Sequence, residues 1–148
     1  MLSKGSFRLE PVLNYTSSMV DTLELEFAQL KLAHKNEMEV LERLEAAKIE
    51  EMDNLQHQQH GLLDCEAILL RQKYLQVLDT QISRQKTRVK AAATKVDAKR
   101  DELVDSMKSQ KTLEKLKENH IASQQLDERR REARIIDDLV TTRYARER

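Results

Sequence analysis

Residues 68–103 read ILLRQKYLQVLDTQISRQKTRVKAAATKVDAKRDEL, and within them Ile68, Leu75, Ile82, Val89, Val96 and Leu103 recur every seven residues with neither Pro nor Gly between. Seven residues are two turns at 3.5 residues each. All six side chains therefore stand on one face of one helix, and a partner helix is needed to cover them. The same character extends over residues 63–140. The middle of that run is basic, with Arg84, Lys86, Arg88, Lys90, Lys95, Lys99 and Arg100 set against Asp97 alone.

Composition points the same way. Ala, Glu, Lys, Arg and Leu make up 75 of the 148 residues, which together with heptad spacing is the make-up of long helices and coiled coils. Three Tyr, two Phe and no Trp leave little for a thick globular core, and two Gly with one Pro leave little to end a helix. The net charge is zero but unevenly divided. Residues 1–60 hold six Lys or Arg against eleven Asp or Glu, so the remainder carries the compensating positive charge. Opposite charge favours the two halves lying side by side. A lone cysteine, Cys65, allows no internal disulfide and fits a reducing compartment. No apolar run approaches the roughly 20 residues that span a bilayer, and Met1–Glu10 has no signal-peptide core, so a cytoplasmic chain without direct membrane insertion is expected.

From the N-terminus, Pro11 suits the first turn of a helix and sets its start near Leu9–Pro11. Apolar residues then follow at spacings of three and four: Leu13, Val20, Leu23, Phe27, Leu30, Leu41, Leu44, Met52 and Leu55. His34, Glu37, Lys48 and Glu51 fall where a strict heptad wants apolar groups, which predicts a stripe that drifts between registers. Gly61 follows a polar stretch and reads as a left-handed cap. Asp64 is placed to cap the next helix.

The predicted fold is all-α: a long antiparallel two-helix coiled coil, or α-hairpin, whose second helix is longer than the first. It forms a single domain, residues 1–148, with helix 1 about 10–58, a turn about 59–63 and helix 2 about 64–144. At 1.5 Å per residue the helices measure roughly 70 and 120 Å. Folding back at residue 60 sets position x opposite about 121 − x. Asp21, Glu24, Glu26 and Glu37 then lie along the basic run. Everything after about residue 112 is left as an overhang, still helical in pattern, whose Leu113, Leu116, Leu126, Ile135, Ile136, Leu139 and Val140 imply either a disordered tail or a surface kept for another protein.

Little chemistry is available. Glycines only at 5 and 61 permit no phosphate-binding loop. His57, His60 and Cys65 are close in sequence, but they read as solvated turn residues rather than a metal site. Cys65 has no enclosing pocket to shift its pKa, so no catalytic residue, metal or cofactor is expected. The basic run lacks aromatic residues for stacking on bases, so nucleic acid is not expected as a partner.

The opening Phe7-Arg8-Leu9-Glu10-Pro11-Val12-Leu13, the central Tyr74-Leu75-Gln76-Val77-Leu78-Asp79, the segment Lys111–Glu118 and the ending Glu132 with Ile136-Asp137-Asp138-Leu139 and Arg143 resemble the flagellar FliJ family. The resemblance covers nearly the whole chain. It implies a non-enzymatic coiled-coil stalk of the flagellar type III export apparatus that binds and stimulates the hexameric export ATPase, contacts the cytoplasmic part of the membrane export gate and escorts export chaperones. It also implies a position at the cytoplasmic face of the inner membrane. Carried over residue by residue, the ATPase contact maps onto Leu9, Leu13, Val20, Leu113, Leu116, Ile136, Asp137, Leu139 and Arg143, and the gate contact onto Val40, Leu44, Tyr74 and Leu78. The competing readings are a self-associating scaffold that pairs through residues 113–144, and the stalk of an injectisome secretion system.

Overall fold

The computed structural model describes residues 5–61 and 64–147 and contains α1, Glu10–Gln58, followed by α2, Cys65–Arg146. It is an all-α helical hairpin with the second helix the longer. Pro11 sits in the first turn of α1, where its missing N–H costs nothing. The Glu10 N–H donates to Phe7 O at 3.1 Å and fixes the approach. At the other end Asp64 caps α2, its Oδ1 accepting from the backbone N–H groups of Glu66 at 3.2 Å and Ala67 at 3.3 Å.

The end of α1 differs from the sequence expectation. Gly61 does not take a left-handed conformation; among the described residues Gly5 is the glycine with positive φ, at 120°. The last turn of α1 closes on itself instead, with Gln59 N–H donating to Leu55 O and His60 N–H to His57 O, both at 3.2 Å. Those bonds occupy the carbonyls that a left-handed cap would serve. Leu62 and Leu63, part of the expected turn, lie outside the described residues.

Burial reveals the seam. In α2 the less exposed positions run Ile68, Arg71, Leu75, Leu78, Ile82, Gln85 and onward to Gln124 in alternating steps of three and four. That is the heptad rhythm of a coiled coil held for the whole stretch. The expected drift in α1 does not occur. Leu13, Thr16, Val20, Leu23, Phe27 and Leu30 continue through His34, Glu37, Leu41, Leu44, Lys48 and Glu51 to Leu55 and Gln58 in one unbroken register. The polar residues keep their seam positions because long side chains bury their stems and send their polar ends to partners on the other helix. Lys48 pairs with Asp79, Glu51 accepts from Arg71 at 3.2 Å, and Glu37 accepts from Gln85.

The chain divides into two units, Leu23–Leu103 and Met1–Thr22 with Val104–Arg148. In the first, Leu23, Leu78, Ile82, Val96 and Leu103 are buried along the seam, and so is Gln85, whose Nε2 donates to Glu37 O at 2.8 Å. Of the four acids expected along the basic run, Glu26 accepts from Lys99 at 2.9 Å, while Glu37 turns to Gln85. The carboxylates of Glu26 and then Glu102 raise the Lys99 ammonium above its ordinary pKa.

In the second unit Leu13 and Val20 are buried, and three polar pairs tie the two strands of chain. Gln110 Nε2 donates to Ser17 Oγ at 3.1 Å, Lys117 meets Glu10 at 2.9 Å, and Gln124 Nε2 donates to Gly5 O at 2.7 Å. The Phe7 and His120 rings lie 5.7 Å apart. These pairs overturn the expected start of the overhang. Residue 104 was expected opposite Ser17, which meets Gln110 instead, and the segment before Pro11 stays along α2 rather than leaving it. Pairing therefore runs through Gln124, and Leu113 belongs to the half-buried seam. Residues 125–147 are exposed throughout.

Candidate interaction surfaces

The overhang carries Leu126, Ile135, Ile136, Leu139, Val140 and Tyr144, all exposed, with Ile136 at 58% and Leu139 at 64%. Their placement on the helix matters more than their exposure. Continuing the seam beyond Gln124 in its steps of three and four leads to Asp127, Arg131, Arg134, Asp138, Thr141 and Ala145. None of these is a large aliphatic residue. The apolar stripe has moved to another face, so a longer α1 in the same register would not cover it. Asp137 and Asp138 accept through their backbone carbonyls from the Thr141 and Thr142 hydroxyls, each at 2.7 Å. Arg143 Nε reaches Glu147 at 3.9 Å, an exposed intrahelical pair.

Of the residues carried over for the ATPase contact, the overhang holds Ile136, Asp137, Leu139 and Arg143. In the same unit, Leu9 and Leu116 are exposed at its paired section, Leu113 is half-buried, and Leu13 and Val20 are buried. Seam residues of this kind shape a surface from beneath without presenting their side chains to it.

In the Leu23–Leu103 unit an open groove of about 800 Å³ lies between the helices near the turn, lined by Glu51, Asn54 and Gln58 of α1 and by Leu70, Arg71 and Tyr74 of α2, among others. Tyr74 is 48% exposed on it. Val40 and Leu44 are half-buried, and Leu78 is 2% exposed in the seam. Of the four residues carried over for the gate contact, Tyr74 thus has the exposed side chain and Leu78 the buried one. Sequence reasoning passed over Leu70 and Val77, exposed at four and three residues either side of Tyr74. That spacing was the available signal.

Among the described residues no three potential metal ligands come together, and no helix is long and apolar enough to cross a membrane. The arrangement is that of a helical hairpin with its polar pairs spent on register and its exposed apolar residues gathered in stripes. The family model described as the flagellar FliJ protein matches residues 5–148, and the chain belongs to that family. It is accordingly a component of the flagellar export apparatus, in a family that is non-catalytic. No curated protein and no solved structure matches it.

Proposed function

We propose that this chain is a single coiled-coil domain serving as the stalk of the export machinery, with the free end of α2 inserted in the hexameric export ATPase. The observation that carries the reading is the exposed aliphatic stripe of Ile135, Ile136, Leu139 and Val140 on the overhang, which stands off the seam. A helix placed inside a sixfold ring must touch its subunits unequally. Ile136, Leu139 and Val140 on one side, with Arg129, Arg130, Arg131 and Arg134 close by, give it unlike faces. Contact with one subunit at a time favours one nucleotide state in the ring over the others, which is how a passive shaft stimulates turnover. Leu9, Leu116, Asp137 and Arg143 extend the contact, and Leu13, Val20 and Leu113 hold the helices beneath it.

The turn end meets the cytoplasmic part of the export gate through Tyr74, with Val40 and Leu44 beside it and Leu78 supporting Tyr74 from the seam. Export chaperones ride on the same chain, which works at the cytoplasmic face of the inner membrane. Ile136→Asp or Leu139→Asp should abolish stimulation of the ATPase while the circular dichroism of the hairpin stays helical. Full stimulation by both variants would refute the placement. A dimer in sedimentation, dispersed by either substitution, would favour the self-associating scaffold instead.

A further inference from the structure

The groove at Tyr74 does not stop at Tyr74. A second depression, of about 320 Å³, is lined by Leu44, Gln81, Arg84 and Arg88, and a third, of about 330 Å³, by Leu30, Ala33, Arg88, Ala91 and Lys95 among others. All three lie within the Leu23–Leu103 unit. On α2 their lining residues advance from Leu70 through Tyr74 and Val77 to Ala91 and Lys95 in alternating steps of four and three. That is the same rhythm as the seam, displaced to one flank of it. On α1 Ala33 and Asn54 line the depressions, and Val40 and Ala47 fall between them at intervals of seven. Side chains no larger than valine at a heptad interval leave room for a third helix to lie in the angle between two others.

Charge decides which kind of helix. Of the acids that line the groove, Glu51 is paired with Arg71, and Glu37, which accepts from the neutral Gln85 amide, is the one carboxylate set against Arg84, Arg88 and Lys95. Arg84, Arg88 and Lys95 are exposed or at the rim, and among the described residues none of them has an acidic partner. Near the turn the flank is apolar, with Leu70, Tyr74 and Val77, and Gln58 Oε1 is buried there without a hydrogen-bond partner. We infer that this flank seats an amphipathic helix of a partner protein, apolar where it faces Tyr74 and acidic where it faces Arg84, Arg88 and Lys95. The inference shares Val40, Leu44 and Tyr74 with the gate contact proposed above and adds the basic half. It gives the chemistry of the segment that the gate, or another client, must offer.

The test uses the full chain and two synthetic helices of about 25 residues. Both carry a leucine stripe, one flanked by Glu and the other by Lys. The acidic helix should bind and the basic one should not. Arg84→Glu with Arg88→Glu should weaken the acidic helix by roughly tenfold or more and reduce the salt dependence of its binding. Lys86→Glu with Lys90→Glu makes the same charge change in the same run but off the groove, and should leave binding within about twofold. Equal loss in both pairs would overturn the seat in favour of a general charged patch. So would equal binding of the two helices, no binding of either, or retention of duplex DNA or phosphatidylglycerol vesicles in place of the acidic helix. The gate fragment separates this inference from the reading it builds on. Binding lost with Tyr74→Ala but kept with the Arg84 and Arg88 reversal would leave the gate contact standing and remove the acidic seat; acidic-helix binding without gate-fragment binding would do the reverse.

Discussion

Gln110–Gln124 and Leu126–Tyr144 are neighbouring stretches of one helix in one unit, yet they distribute their residues in opposite ways. In the first the seam is mostly polar, with Gln110, Lys117, His120 and Gln124, and it is covered. In the second the aliphatic residues are large, and they are exposed. Hydrophobicity alone would have assigned the partner helix to the second. What sets the first in register with its partner is pairing: Ser17 to Gln110, Glu10 to Lys117, Gly5 to Gln124. Polar pairs of this kind are worth only about 1 kcal/mol each, so their contribution is to fix register, and the adjoining buried Leu13 and Val20 supply the adhesion.

The largest expected effect tests that division. Leu13→Ala should destabilise the fold by about 2–4 kcal/mol, whereas Leu139→Ala should change it by less than about 0.5 kcal/mol, both read from urea unfolding followed by circular dichroism. Equal costs would mean that the overhang is packed in solution. A smaller effect concerns the start of α2. Asp64→Ala should cost about 1 kcal/mol by removing the acceptor for two N–H groups, and Asp64→Asn should restore most of it.

The two glycines sharpen the comparison further. Gly5 has φ of 120°, and a Cβ there would lie 3.1 Å from Gln124 Nε2. Gly5→Ala should therefore cost about 1 kcal/mol and raise amide exchange around Gln124. Gly61→Ala meets nothing within 4 Å and needs no left-handed backbone, so its melting temperature should stay within the error of the wild type.

The smallest effect is electrostatic. Lys99 has its pKa raised in the folded state, so it holds its proton more tightly there than in the unfolded chain. Its stabilisation is complete below the ordinary lysine pKa and fades as pH rises through the raised value. A melting series from pH 7 upward should thus show a slightly steeper decline above the lysine range for the wild type than for Lys99→Met. Identical slopes would show that the Glu26 pair contributes nothing.

The sequence by itself determined two helices and their order of length. The recurrence every seven residues from Ile68 to Leu103 admits one secondary structure, Asp64 marks a helix start, and the scarcity of Gly and Pro leaves one place to turn. It also carried the opening and ending segments that identify the family. Tertiary structure alone decided the register and the surfaces. A sequence stripe records which residues are apolar, and in this seam Arg71, Gln85, Glu37 and Lys48 hold positions that only a partner across the interface makes tolerable. For the same reason the end of pairing at Gln124, the burial of Leu78 against the exposure of Tyr74, and the flank joining Tyr74 to Arg88 depend on how two distant stretches are phased. That phase is a property of the pair, and neither helix encodes it alone.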